Sequence, residues 1–318
     1  MVTRRDFLKK TGKAAAASAL FGAGYLLADS RPDFPVEKKA LGIHLKYAID
    51  DPILAQKLAV ARDDSPARLI ERALLALGGI GQFVSKGDRV VIKPNVGWDR
   101  VPEQAANTNP EAVAQMVRMC LAAGAREVIV TDVTCNDQRR TFLRSGIQAD
   151  AEKAGAKVPL STDSDFTEID LGGQVLTVWP VLRHMIEADK FINMPIAKHH
   201  SLTGATLGMK NLYGIIGGRR NQLHQKIDQS IVDLATFMKP TLVVADCYRV
   251  LMRNGPVGGN LDDVKECRAV VAGIDQVAVD AYLTRFLDKT PEDVSHIALA
   301  RRAGLGGMNL DHITILDG

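Results

Sequence analysis

The chain has 318 residues, 46% hydrophobic and 24% charged, with 27 glycines and 5% aromatics. That is enough apolar residue for a substantial core, and the glycine-rich, aromatic-poor balance favours an α/β protein over an aromatic-rich β-sandwich. Net charge is +3, but residues 1–28 alone carry +4 and the remainder is −1, which argues against non-specific nucleic-acid binding.

At the amino terminus, Thr3-Arg4-Arg5-Asp6-Phe7-Leu8-Lys9 precedes an Ala/Gly-rich apolar run, Ala14–Ala28. At 15 residues that run is too short for an ordinary spanning helix. The segment resembles a twin-arginine (Tat) signal, which implies recognition by the Tat export machinery and a periplasmic or exported protein. A basic amphipathic helix or an uncleaved signal acting as a membrane anchor are the alternatives. Residues 29–41, with Pro32 and Pro35, read as a linker, and 42–87 as a helical region before the main domain.

Within 42–87, residues 52–62 and 65–78 show helical spacing, the second opened by Ser65-Pro66. Arg89–Lys93 reads as a buried strand stopping at Pro94-Asn95. A helix follows from Asn109-Pro110 to about Ala123, then a strand over Glu127–Asp132 and a helix from about Arg139 to Ala154. Phe166–Asp170 and Gln174–Val178 suggest a hairpin around Leu171-Gly172-Gly173. Residues 181–188 read as helix and Lys190–Met194 as strand. Later come a helix over Ile227–Met238, a strand Thr241–Ala245 ending at Asp246, a strand Arg268–Ala272, a helix Asp275–Leu287, one opened by Pro291, and a strand Ile313–Leu316. Strands alternating with helices across 88–160 and 181–287 predict a mostly parallel sheet covered on both faces, with an antiparallel hairpin added or joining two α/β halves.

Residues 191–225 form the chemical focus. Lys198, His199, His200, Lys210, Asn211, Arg219, Arg220 and His224 fall here with almost no local acid. In parallel sheets, ligands bind beyond the carboxyl ends of the strands. Lys93 and Asn95 follow one strand end, Asp132 another, Lys198 to His200 a third, and Asp246 with the Gly255–Gly259 loop a fourth. The expected partner is a small anionic ligand or cofactor, and the sequence specifies no cofactor. The catalytic candidates are His200, His224 and Lys210. Those for ligand binding are Lys93, Asn95, Lys198, Asn211, Asp246, Gly255 and Gly258. Asp280 and Asp275 read as helix caps or acceptors of backbone donors.

The four cysteines, Cys120, Cys135, Cys247 and Cys267, include no C-x-x-C, so no locally spaced zinc or iron–sulfur framework is expected and no metal ligands are assigned. Cys247 and Cys267 flank one loop and could pair in an oxidising compartment.

In order, Lys93-Pro94-Asn95, Thr108 to Pro110, the K-x-H of Lys198 and His200, the T-x-x-x-K-N of Thr206 to Asn211, Gly214, His224, Asp246, the G-P-x-x-G of Gly255 to Gly259, and Asp275 with Ala278 to Asp280 resemble the domain of unknown function 362 family over about 88–318. Many members carry ferredoxin-like cysteine motifs, which this chain lacks. Members usually place acids before the Gly-Pro pair, where this chain has Arg253 and Asn254. The family supplies no activity to carry over. Three expectations stand: an exported enzyme or cofactor-binding protein of redox type, a non-catalytic periplasmic accessory or electron-transfer partner, and a basic face for anionic lipid.

Overall fold

Two faces of one sheet organise the chain, and the strand sequences already carry both. The computed structural model describes residues 45 and 47–318. The twin-arginine segment 1–28 and the linker 29–41 lie outside the described residues. The strands are β1 (Lys57–Arg62), β2 (Arg89–Pro94), β3 (Glu127–Val130), β4 (Phe166–Asp170), β5 (Val178–Leu182), β6 (Lys190–Met194), β7 (Ile196–His200), β8 (Gly204–Thr206), β9 (Leu242–Leu251), β10 (Val264–Gly273) and β11 (Thr314–Asp317). The helices are α1 (Pro66–Ala76), α2 (Pro110–Ala122), α3 (Gln138–Arg144), α4 (Ile147–Lys153), α5 (Arg183–Ile186), α6 (Gly208–Asn211), α7 (Ile227–Phe237), α8 (Gln276–Leu283) and α9 (Ser295–Arg302).

The main sheet runs β11-β1-β10-β9-β6-β2-β3, with β7 beside β9 and β8 beside β7. The block β9-β6-β2-β3 is parallel throughout, whereas β10 is antiparallel to both β1 and β9. Successive side chains on a strand face opposite ways. Accordingly Val90 and Ile92 join one buried cluster with α1, α2 and α4, while Val91 joins the other with α7, α8 and α9. Helices therefore cover both faces of a mostly parallel sheet. β4 and β5 pair as a separate antiparallel hairpin.

Several elements differ from the sequence expectation: β7 and β8 lie where no strand was expected, and β9 runs on to Leu251. Residues 57–62, read as helical, are β1, paired with β10 and β11 inside the sheet. The segment 42–87 thus contributes a strand to the same sheet. Leu58, Ala59, Val60 and Ala61 are all buried, and such an unbroken apolar run has no period of its own to separate helix from a two-sided strand. The single helix expected over 139–154 is two, because Gly146 at φ 74° turns the chain between α3 and α4. The second hairpin strand begins at Val178, not Gln174. Asp233 on α7 accepts from Val175 N (2.7 Å) and Leu176 N (3.0 Å), holding that segment as a loop.

Candidate functional site

The carboxyl ends of β2, β3 and β6 lie along one edge, and the β7–β8 hairpin and α6 close over it. Between them is a cavity of about 630 Å³. Lys93, Asn95, Lys198, His200, Lys210, Asn211 and His224 all line it, together with Asp132, Cys135, Tyr213, Gly214 and Arg220. Asp132 is the one carboxylate among the described lining residues, against three lysines and an arginine.

The three lysines are held differently. Lys93 ends β2 and is 1% exposed. Its Nζ lies 2.8 Å from Asp132 Oδ1 and donates to Pro94 O (2.9 Å) and Asn211 Oδ1 (3.0 Å), so each ammonium proton has an acceptor. Burial still pulls its pKa down, opposed by Asp132. Lys198 on β7 is equally buried and has no carboxylate. Its Nζ donates to Asn95 Oδ1 (3.1 Å) and Ala106 O (2.5 Å). Two acceptors match the two N–H groups of a neutral amine, and burial lowers its pKa to about 7. Lys210 on α6 has no hydrogen-bond partner among the described residues, and its Nζ sits 3.7 Å from the centroid of the Tyr213 ring. Burial, with Arg220 and Lys93 adding repulsion, lowers its pKa to about 8.

A chain of amides ties these groups together. Asn95 Nδ2 donates to Asn211 Oδ1 (3.0 Å), Asn211 Nδ2 to Asn193 Oδ1 (2.8 Å), and Asn193 Nδ2 to Gly208 O (2.9 Å). Each amide fixes the orientation of the next, so the floor is a satisfied polar network rather than a set of separate contacts. Asp280 on α8 accepts from Gly208 N (2.6 Å) and Met209 N (2.9 Å), which sets the start of α6 and hence Lys210 and Asn211. Burial lifts Asp280 to about 7 despite those donors. Gly214 must be glycine: a Cβ there would overlap Asp132 Oδ1 and come within 2.7 Å of Lys93 Nζ.

His200 is constrained by its turn. Its Nδ1 accepts from Leu202 N (3.2 Å) and Thr203 N (3.3 Å). The ring proton is therefore on Nε2, and burial plus the Lys210 and Lys198 charges lower its pKa to about 3. It is a neutral donor at physiological pH, not a base. His224 stands on the exposed side, its pKa lowered by burial first and then by Lys210 and Arg220. Arg220 is tied to Val133 O (2.8 Å) and Thr134 O (2.5 Å), which braces the loop after β3.

Three residues expected at the ligand do not line the cavity. Asp246 lies within β9, which continues to Leu251. Its carboxylate accepts from Asn109 N (2.7 Å) and Tyr248 N (2.8 Å), joining β9 to the start of α2, and burial raises its pKa to about 6. Gly255 and Gly258 shape the loop instead. A Cβ on Gly255 would overlap His199 O, and one on Gly258, at φ 58°, would lie 2.9 Å from Leu251 Cδ2. Pro256 and Val257 of that loop do reach the cavity. Sequence reasoning placed Asp132 at a strand end and Arg220 in the basic stretch without giving either a role, and passed over Tyr213 and Cys135. Tyr213 lies three residues beyond Lys210. Among the described residues no group of three or more His, Cys, Asp or Glu could hold a metal, and all four cysteines are free.

The sequence pattern described as Domain of unknown function (DUF362) matches residues 90–285, more than half of the chain. The chain belongs to the DUF362 family. Every residue lining the cavity lies inside the DUF362 match. A curated relative, "Thylakoid-associated protein sll1697" of Synechocystis, is 27% identical over 244 residues, covering 72% of each chain. Among solved structures, the lactate racemase apoprotein of Thermoanaerobacterium thermosaccharolyticum aligns at TM-score 0.41 and 14% identity, over 77% of this chain and 62% of that one. A Thermotoga maritima protein aligns at TM-score 0.35 and 12% identity, over 74% and 59%. The DUF362 chain thus spans less than two thirds of either solved chain.

Proposed function

We propose that this protein binds a small organic anion, bearing carboxylate or phosphate, in the strand-end cavity, and that the ligand's charge is met by Lys210. The observation that carries the reading is the excess of cationic lining over a single carboxylate that Lys93 already engages. A desolvated ammonium over an aromatic face gains most from a direct anionic partner. His200 Nε2–H is a second donor for the same ligand.

Proton transfer in this cavity centres on Lys198. An amine with both N–H groups engaged keeps one lone pair, and a pKa near neutrality suits a general base. The reading is tested by calorimetry and thermal melting with citrate, pyruvate, phosphate and a nucleoside monophosphate, on the intact protein and on Lys210→Met. Binding of at least one anion that Lys210→Met weakens on the order of tenfold is expected. Failure of every anion to bind, or equal binding by the variant, sinks it.

Export by the twin-arginine route belongs to the same proposal, supported by residues 3–9 and by the name of the Synechocystis relative. Among the described residues no helix is long and apolar enough to cross a membrane. Cell fractionation should find the protein outside the cytoplasm, in a soluble or membrane fraction according to whether the signal is removed. The double substitution Arg4→Lys, Arg5→Lys should retain it inside, and an unchanged distribution would refute the export reading.

A further inference from the structure

We propose that Cys135 is a covalent modification site at the mouth of the lysine cavity, where it exchanges with an anionic low-molecular-weight disulfide. The inference rests on the cationic reading of the cavity given above. Cys120 and Cys247 are buried and Cys267 is half-buried, whereas Cys135 is exposed and lines the cavity with Lys93, Lys198, Lys210 and Arg220.

The backbone that carries the thiol is held in place. Cys135 N donates to Gly97 O at 2.9 Å, and the two residues before it, Val133 and Thr134, are clamped by the Arg220 guanidinium. A Cβ built on Gly97 would lie 4.0 Å from Cys135 Sγ and 3.6 Å from Asn95 Oδ1, the atom that accepts from Lys198. The sulfur and the amide oxygen holding Lys198 thus both border the same point beside Gly97. Lys210 is the independent indication of a ligand: only 9% exposed, without a hydrogen-bond partner among the described residues, it lines the same space.

A cationic cavity concentrates an anionic reagent. The deprotonated Cys135 sulfur attacks one sulfur of the incoming disulfide. A new S–S bond forms, the old one breaks, and the other half leaves as a thiolate. The Cys135 proton goes to solvent, and one disulfide replaces another with no net oxidation. The captured half brings its carboxylates beside Lys210 and fills space that the anionic ligand would use. A free thiol reverses the step.

The experiment compares two disulfides on the Cys267→Ser protein at low salt: dianionic dithiobis(nitrobenzoate) and neutral dithiodipyridine. The anionic reagent should be preferred, and Cys135→Ser should abolish the fast phase. Lys210→Met should lower the anionic-to-neutral rate ratio on the order of tenfold. High salt on the protein retaining Lys210 should collapse the same ratio by screening, so the test does not depend on the variant folding. A ratio indifferent to both salt and Lys210, or a fast phase that survives Cys135→Ser, overturns the proposal. Titration of Cys135→Ser with citrate, pyruvate, phosphate and a nucleoside monophosphate separates this from the ligand reading. Binding of any of them without reagent preference overturns the thiol proposal alone, and no anion bound with no preference overturns both. Preference with anion binding lost on modification supports both.

Discussion

The floor and the wall of the cavity both present buried lysines, yet they solve the cost of burial in opposite ways. On the floor, Lys93 is neutralised by Asp132 and ringed by acceptors. On the wall, among the described residues, Lys198 has only neutral acceptors and Lys210 only a ring face. A buried charge without a counter-ion costs stability unless its pKa moves. The floor offsets one charge with another inside its ion pair. The wall sheds part of its protonation near neutral pH, and among the described residues Lys210 has no hydrogen-bond acceptor.

Substitutions should separate the two. Asp132→Ala strands the Lys93 ammonium and is expected to cost about 3–5 kcal/mol in a denaturant melt, whereas Asp132→Ala with Lys93→Met should recover most of it. A double variant no more stable than the single would mean that the floor pair does not act as a unit. Gly214→Ala forces a methyl group against the same pair and should cost about 1–3 kcal/mol, since the side-chain ends it meets are buried and held by their ion pair. On the wall, Lys210→Met should leave the melt within about 0.5 kcal/mol or raise it, while affinity for the best anion falls. A large stability loss there would erase the contrast.

The smallest effect is in the pH profile. Lys198 and Lys210 have folded pKa values of about 7 and about 8, below the ordinary lysine value of 10.5. Below about 7 both are charged in the folded protein and the burial cost is fully present. Between about 7 and the ordinary value the unfolded chain holds more protons, so stability should rise with pH. Anion affinity should move the other way and fall above about pH 8 as Lys210 deprotonates. Melts and titrations over pH 6 to about 10 check both, and Lys210→Met should flatten both slopes.

Much of this arrangement was legible in the sequence. Lys93, Asn95 and Lys198 follow short apolar runs, and the carboxyl-edge rule brings such residues together. Asp246 misled because the strand was taken to stop there. β9 continues five residues further, which makes Asp246 an interior group serving backbone donors rather than a strand-end one. The Gly255 loop misled for a related reason: a glycine demanded by close approach to His199 O looks the same in sequence as one demanded by a ligand. The role of His200 depends on two turn amides that only the folded β7–β8 hairpin supplies. β1 was missed because a run buried on both faces carries no periodicity.

The occupied Nδ1 of His200 has a consequence for discrimination. With that nitrogen engaged by Leu202 and Thr203, the ring faces the cavity as a donor, as do Lys210 and Arg220. The floor's carboxylate and amide oxygens already accept from Lys93, Asn95, Lys198 and Val96. An amino acid entering carboxylate-first would bring an ammonium group that meets cations on the wall and floor oxygens already engaged by donors. The corresponding hydroxy or oxo acid carries no such group. On the proposed reading, a hydroxy or oxo acid should therefore bind more tightly than the amino acid of the same size.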